Sequence, residues 1–205
     1  MNTKTLFILF GFAVVFSLLA CGNCSKKIDC PGYSDSLWKH YFPYANNQVL
    51  HFAAGTEQMT VTLRDHETTQ PYQATSGALG PSPYCEAHKT FLSLEQDSAA
   101  QALFRLMLDN NPGFSSANLY LGRQYATFYA QSDTAFYRIE INGYPALLSR
   151  QASLNLGSRT FANVTVARRD TSATKITGLY AVYHTKSEGI IAYTEYPSLK
   201  TWVKQ

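Results

Sequence analysis

The chain has 205 residues, few charges (15%), many aromatics (14%, with 14 tyrosines) and a formal net charge of only +3. So slight a basic excess gives no electrostatic footprint for nucleic acid. The length suffices to bury a core without metals or many staples.

Lys4 is the only charge ahead of Lys26, and an apolar run from Leu6 to Phe16 follows it. The run is too short for a comfortable membrane span and has the layout of a signal peptide. It leads into Leu18-Leu19-Ala20-Cys21, with a small residue directly before the cysteine. This stretch resembles the lipobox of bacterial lipoprotein signals. The resemblance implies cleavage before Cys21, a diacylglyceryl thioether on its sulfur and an acyl amide on its nitrogen. Each buried methylene contributes about 0.8 kcal/mol, so two or three chains hold the protein essentially permanently. Residues 1–20 are then the signal peptide, 21–33 a lipidated flexible tether and 34–205 a single antiparallel β domain. Gly22, rather than an acidic residue, follows the cysteine, and Ser25-Lys26-Lys27 stands where an acidic surface-export run would be. Both features resemble an outer-membrane address facing the periplasm, with the cell surface as the alternative.

With Cys21 acylated, Cys24, Cys30 and Cys85 remain in an oxidising compartment. Cys30 and Cys85 border the domain and are the expected disulfide, worth about 3–4 kcal/mol on the chain-entropy model. Cys24 is free or the competing partner. Cys85-Glu86-Ala87-His88 has a plausible metal half-site spacing, but no second pair completes it, so no metal and no cofactor are expected.

Ser34-Asp35-Ser36 is placed to cap one helical turn through Leu37-Trp38-Lys39, which Pro43 stops. Trp38, Tyr41 and Phe42 then plug one end of the core. From Gln48 the hydrophobic period becomes two. Met59, Val61 and Leu63 alternate with Thr60, Thr62 and Arg64, and residues 48–54 and 58–64 form a hairpin around Gly55-Thr56-Glu57. Residues 65–83 read as a long loop or a concealed edge strand. A strand follows at 90–95. Residues 99–108 fit either a capped helix or a strand, and the strand is preferred because its neighbours are β. Strands are expected at 118–121, 124–130 and 136–141. Asn142-Gly143 is the strongest hairpin signal, with 144–148 as the return strand. A meander over 152–156, 159–167, 176–184 and 190–196 closes at Thr201-Trp202-Val203. The expected fold is all-β, an antiparallel sandwich or curved half-barrel of about ten strands.

Phe161-Ala162-Asn163-Val164, the run from Ile176 to Tyr183, Gly189-Ile190-Ile191-Ala192-Tyr193 and Thr201-Trp202 resemble the C-terminal end of uncharacterised Bacteroidota-type outer-membrane lipoproteins. The aromatic-Pro-Tyr stretch before Gln48-Val49-Leu50-His51-Phe52 is similar to their first hairpin. The resemblance covers both ends of the mature chain and implies no activity.

Motifs for chemistry are sparse. Gly113-Phe114-Ser115-Ser116-Ala117 fails the nucleophile-elbow pattern at its last position. Ser36-Leu37-Trp38-Lys39 and Ser172-Ala173-Thr174-Lys175 match S-x-x-K without the companion elements. His40, His51, His66, His88 and His184 show no metal-binding spacing. Asp35-Ser36-Leu37, Asp97-Ser98-Ala99 and Asp133-Thr134-Ala135 resemble O-glycosylation sites of Bacteroidota periplasmic proteins. Ser36, Ser98 and Thr134 are therefore candidates, although Asp-Ser also recurs at turns for its own hydrogen bonds.

The expectation is a non-enzymatic binding or scaffold module, held to the membrane by its lipid, with an envelope protein, glycan or lipid as partner. One alternative is a carrier whose curved sheet encloses an apolar ligand, which requires a large apolar cavity. Another is a hydrolase with a Ser, Asp or Glu beside His51, His66 or His184 in a cleft.

Overall fold

Asn142 (φ 52°) and Gly143 (φ 78°) both sit in the left-handed region, which is what an Asn-Gly hairpin turn requires. Around this turn the computed structural model describes residues 33, 36–71, 85–93, 104–111, 114–130, 135–170 and 177–205. The chain divides into two units, Gly32–Thr68 with Ala87–Gln205, and Met1–Pro31 with Thr69–Glu86. Of the second, the described residues are the end of one strand and the start of the next.

Twelve strands follow a short 3-10 turn at Trp38–His40. They are β1 (Val49–Ala54), β2 (Glu57–Pro71), β3 (Cys85–Ser93), β4 (Arg105–Asn111), β5 (Phe114–Leu121) and β6 (Gln124–Ala130). The remainder are β7 (Phe136–Ile141), β8 (Tyr144–Leu156), β9 (Arg159–Arg169), β10 (Gly178–Thr185), β11 (Gly189–Tyr196) and β12 (Lys200–Lys204). The fold is all-β and antiparallel. The sheet closes, because β12 returns to β1 at Phe52↔Lys204 and Ala53↔Val203. Closure gives every strand a neighbour on each side, where a half-barrel would leave two edge strands.

Local readings shift in four places. The first hairpin turns on Gly55-Thr56 alone, since Ala54 pairs Glu57. Asp65–Pro71 continues β2. Residues 105–108 are strand, paired with β3, and the strand runs on to Asn111. Residues 144–148 and 152–156 are one strand, because Ser149-Arg150-Gln151 carries no turn residue and pairs with β9 without a break. The cap differs as well: Leu37 holds the N-cap position of the 3-10 turn, with no side-chain cap.

Trp38, Tyr41 and Phe42 are buried with Phe52, Phe104 and Phe128 in the barrel interior. Tyr41 stacks on Phe136 with ring centroids 4.3 Å apart, and Phe42 meets Phe128 edge-on at 5.4 Å. Each such side chain contributes on the order of 2–3 kcal/mol by leaving water. The Trp38 indole N–H donates to the Asp109 carbonyl (2.9 Å), which ties the plug to β4.

Strands β10 and β11 bury both faces. Ala167, Val182 and Tyr193 pair across β9–β11 and belong to the barrel cluster. The adjacent row, Val166, Tyr183, Ala192 and Val203, belongs to a second apolar cluster that Phe161, Leu154 and Leu156 join. Such strands read as unbroken apolar runs, as Ile190-Ile191-Ala192-Tyr193 does.

Candidate binding cleft

The ring is weakest between β7 and β8. They pair at Ile141↔Tyr144 and Glu140↔Pro145, and there the pairing ends. Pro145, directly after the turn, is the last residue of β8 that pairs with β7. Beyond it β8 runs with β9 alone, from Ala146↔Arg169 to Leu156↔Arg159. A cleft of about 530 Å³ lies where the strands have separated.

The cleft has an aromatic floor from Tyr41 and Phe136, and polar walls that include Arg150, Gln151, Asn163, Thr165 and Lys186. His184 is at its base. Its Nε2–H donates to the Tyr41 carbonyl at 2.6 Å, and Phe136 meets its ring edge-on at 4.8 Å. Burial among these rings pushes the imidazole down to about 4, so it is neutral near pH 7. The Lys186 ammonium lies 5.4 Å from the Tyr41 ring centroid, a cation–π distance.

One rim is held by ion pairs. Arg159 reaches both Glu188 carboxylate oxygens at 3.2 Å and the Lys204 carbonyl at 3.1 Å. The Lys204 ammonium lies 3.5 Å from the same carboxylate and donates to the Glu188 carbonyl at 3.0 Å. These contacts fasten the β8–β9 tip to the β10–β11 turn and use up the charge of Glu188. Burial lowers the Lys204 ammonium from its ordinary range, with Glu188 opposing the shift. Arg150 is exposed and has no carboxylate partner among the described residues, which leaves the cleft with a cationic bias.

A polar network lies along β3–β6. The Asp109 carboxylate accepts from His88 Nδ1 (2.5 Å), Ser116 Oγ (3.1 Å) and Asn118 Nδ2 (3.1 Å). Thr127 extends the row by donating to Asn118 (2.8 Å). Polar residues repeating at period two on successive strands were the available signal, and sequence reasoning considered only His88.

Of the residues singled out from sequence, Cys21, Cys24, Cys30, Ser98 and Thr134 lie outside the described residues. The Cys30–Cys85 pairing therefore has one partner placed, Cys85, the first residue of β3. Ser36 is exposed just ahead of the 3-10 turn. Ser36 does not line the cleft. His88 is on β3, and no cluster of three metal-ligating side chains occurs among the described residues. Of the three histidines considered for hydrolysis, His184 alone lines the cleft, and its hydrogen bond goes to a backbone carbonyl. His51 Nδ1 lies 3.1 Å from Thr60 Oγ1 on the exposed first hairpin, and His66 is an exposed β2 residue.

The chain matches no protein-family model, no curated protein and no solved structure.

Proposed function

We propose that the chain is a lipid-anchored binding module of the bacterial outer membrane, tethered through Cys21 and facing the periplasm. Its binding site is the cleft between β7 and β8, and its partner is anionic. The observation that carries this reading is the gap in an otherwise closed barrel, with a cationic wall above an aromatic floor. Two features support it further. The barrel interior is filled by side chains such as Phe52, Leu63, Phe104 and Phe128, which weighs against a carrier with an enclosed apolar ligand. The polar row Asp109, Ser116, Asn118 and Thr127 is unlike the apolar belt of a membrane-inserted barrel, which favours a tethered protein.

The test is site-specific photo-crosslinking in intact envelopes. A photoreactive residue at Gln151 should give a defined adduct that Arg150→Glu abolishes, while one at Arg123, in the exposed β5–β6 turn, should give none. Equal adducts at both positions, or an adduct indifferent to Arg150, would refute the cleft. The anchor is tested separately: Cys21→Ser should move the protein from the membrane to the soluble fraction.

A further inference from the structure

Strand β8 presents an open edge over most of its length. Among the described residues, none is a backbone partner between Leu147 and Leu156 on the side that faces β7, and no other hydrogen bond reaches that edge. A strand edge is a row of N–H and C=O groups spaced to template another strand, and proteins ordinarily blunt it with charge, proline, bulges or brevity. Here the strand is 13 residues long and its proline stands at the second position, before the open stretch begins. Leu147 is 63% exposed and Leu148 39%, so consecutive residues offer apolar surface on opposite faces of the edge. From Leu147 to Ala152 the edge would pair about 20 Å of extended chain.

We infer that the occupant of this cleft is an extended acidic polypeptide segment of a partner protein, added to β8 as a further strand. This deepens the proposed binding function and rests on it. Charge selects the occupant. Among the described residues, Arg150 stands within the open edge without a carboxylate partner, and Arg168, opposite Leu147 on β9, is likewise exposed and unpaired with any carboxylate. Lys186 lines the cleft together with Arg150. The nearby acids are already engaged, Glu188 by Arg159 and Lys204, and Glu140 by Arg138. A second copy of this chain fits less well, because edge-to-edge pairing of two β8 strands sets Arg150 against its own cationic surroundings.

The experiment uses the full lipidated protein in detergent micelles and three fluorescent peptides. One is a short extended peptide alternating Glu with Val. The second is the same peptide methylated at every backbone nitrogen, and the third has Lys in place of Glu. Anisotropy gives the affinities, and amide hydrogen exchange reports on β8. The expected result is millimolar or tighter binding of the acidic peptide, with new protection of amides between Leu147 and Ala152. N-methylation and charge inversion should each weaken binding by roughly tenfold or more, and Arg150→Gln by about fivefold. Equal binding of the N-methylated peptide would overturn strand addition while leaving an anion-binding cleft intact. Failure of the acidic peptide to bind at millimolar concentration would overturn the inference, and the photo-crosslinking result would then decide the cleft itself. Protection of β8 without peptide, together with a dimer in sedimentation, would assign the edge to a second copy and also overturn it.

Discussion

The hairpins on the two sides of β8 start alike and end differently. Both turn through glycine in the left-handed region, Gly143 between β7 and β8 and Gly157 between β8 and β9. The second then pairs from Leu156↔Arg159 to Ala146↔Arg169, missing only Ala152 with Asn163, and its tip is fastened by Arg159, Glu188 and Lys204. The first separates after two pairs, at Pro145. A turn brings two strands together. How far they stay together is not fixed by the turn, and here the early parting leaves a cleft in a closed barrel.

The largest expected effect comes from removing the packing beneath that difference. Phe128 is fully buried against Phe42 and Phe136, and Phe136 forms part of the cleft floor. Phe128→Ala should cost about 3–5 kcal/mol in chemical denaturation. A loss below 1 kcal/mol would mean that the plug is not packed as described.

The next effect is a pH dependence. His184 titrates near 4 in the folded protein and near 6.5 when unfolded. As pH falls between these values, the unfolded chain takes up the proton first. The stability is therefore complete above about 6.5 and is lost as pH falls towards 4, on the order of 3 kcal/mol. Subtracting the profile of His184→Gln, which keeps a donor for the Tyr41 carbonyl, isolates this contribution. Superimposable profiles would contradict the burial of the imidazole.

Smaller effects separate the two hairpins. Glu188→Gln should cost about 1 kcal/mol and speed amide exchange at the β8–β9 tip, leaving the turn at Asn142-Gly143 unchanged. Pro145→Thr adds an N–H at a position that exchanges no hydrogen bonds with Glu140 of β7. Its effect on global stability should stay within about 0.5 kcal/mol, with amide exchange along β8 and the Gln151 crosslink unchanged. New protection spreading along β8 would mean that the proline sets where the strands part.

Much of the wall was legible because its cues are local. Alternation of Met59, Val61 and Leu63 marks β2, and Asn142-Gly143 marks its turn by the positive φ it needs. The plug was readable from Trp38, Tyr41 and Phe42 placed just ahead of Pro43. What escaped is non-local. Strand β8 is largely exposed on both faces, so its sequence has no period to betray a continuous strand. Closure depends on Phe52 meeting Lys204, far apart in the chain. The cleft is made by two strands diverging, and no motif in either one specifies the space between them.

The most direct test is amide hydrogen exchange along β8 in the full lipidated protein without any partner. The account predicts alternation between Ala146 and Leu156: amides directed at β9 protected, and those on the open edge exchanging at nearly solvent rates. Uniform protection along that stretch would mean that the edge is already paired, and would contradict both the cleft and the strand proposed to fill it.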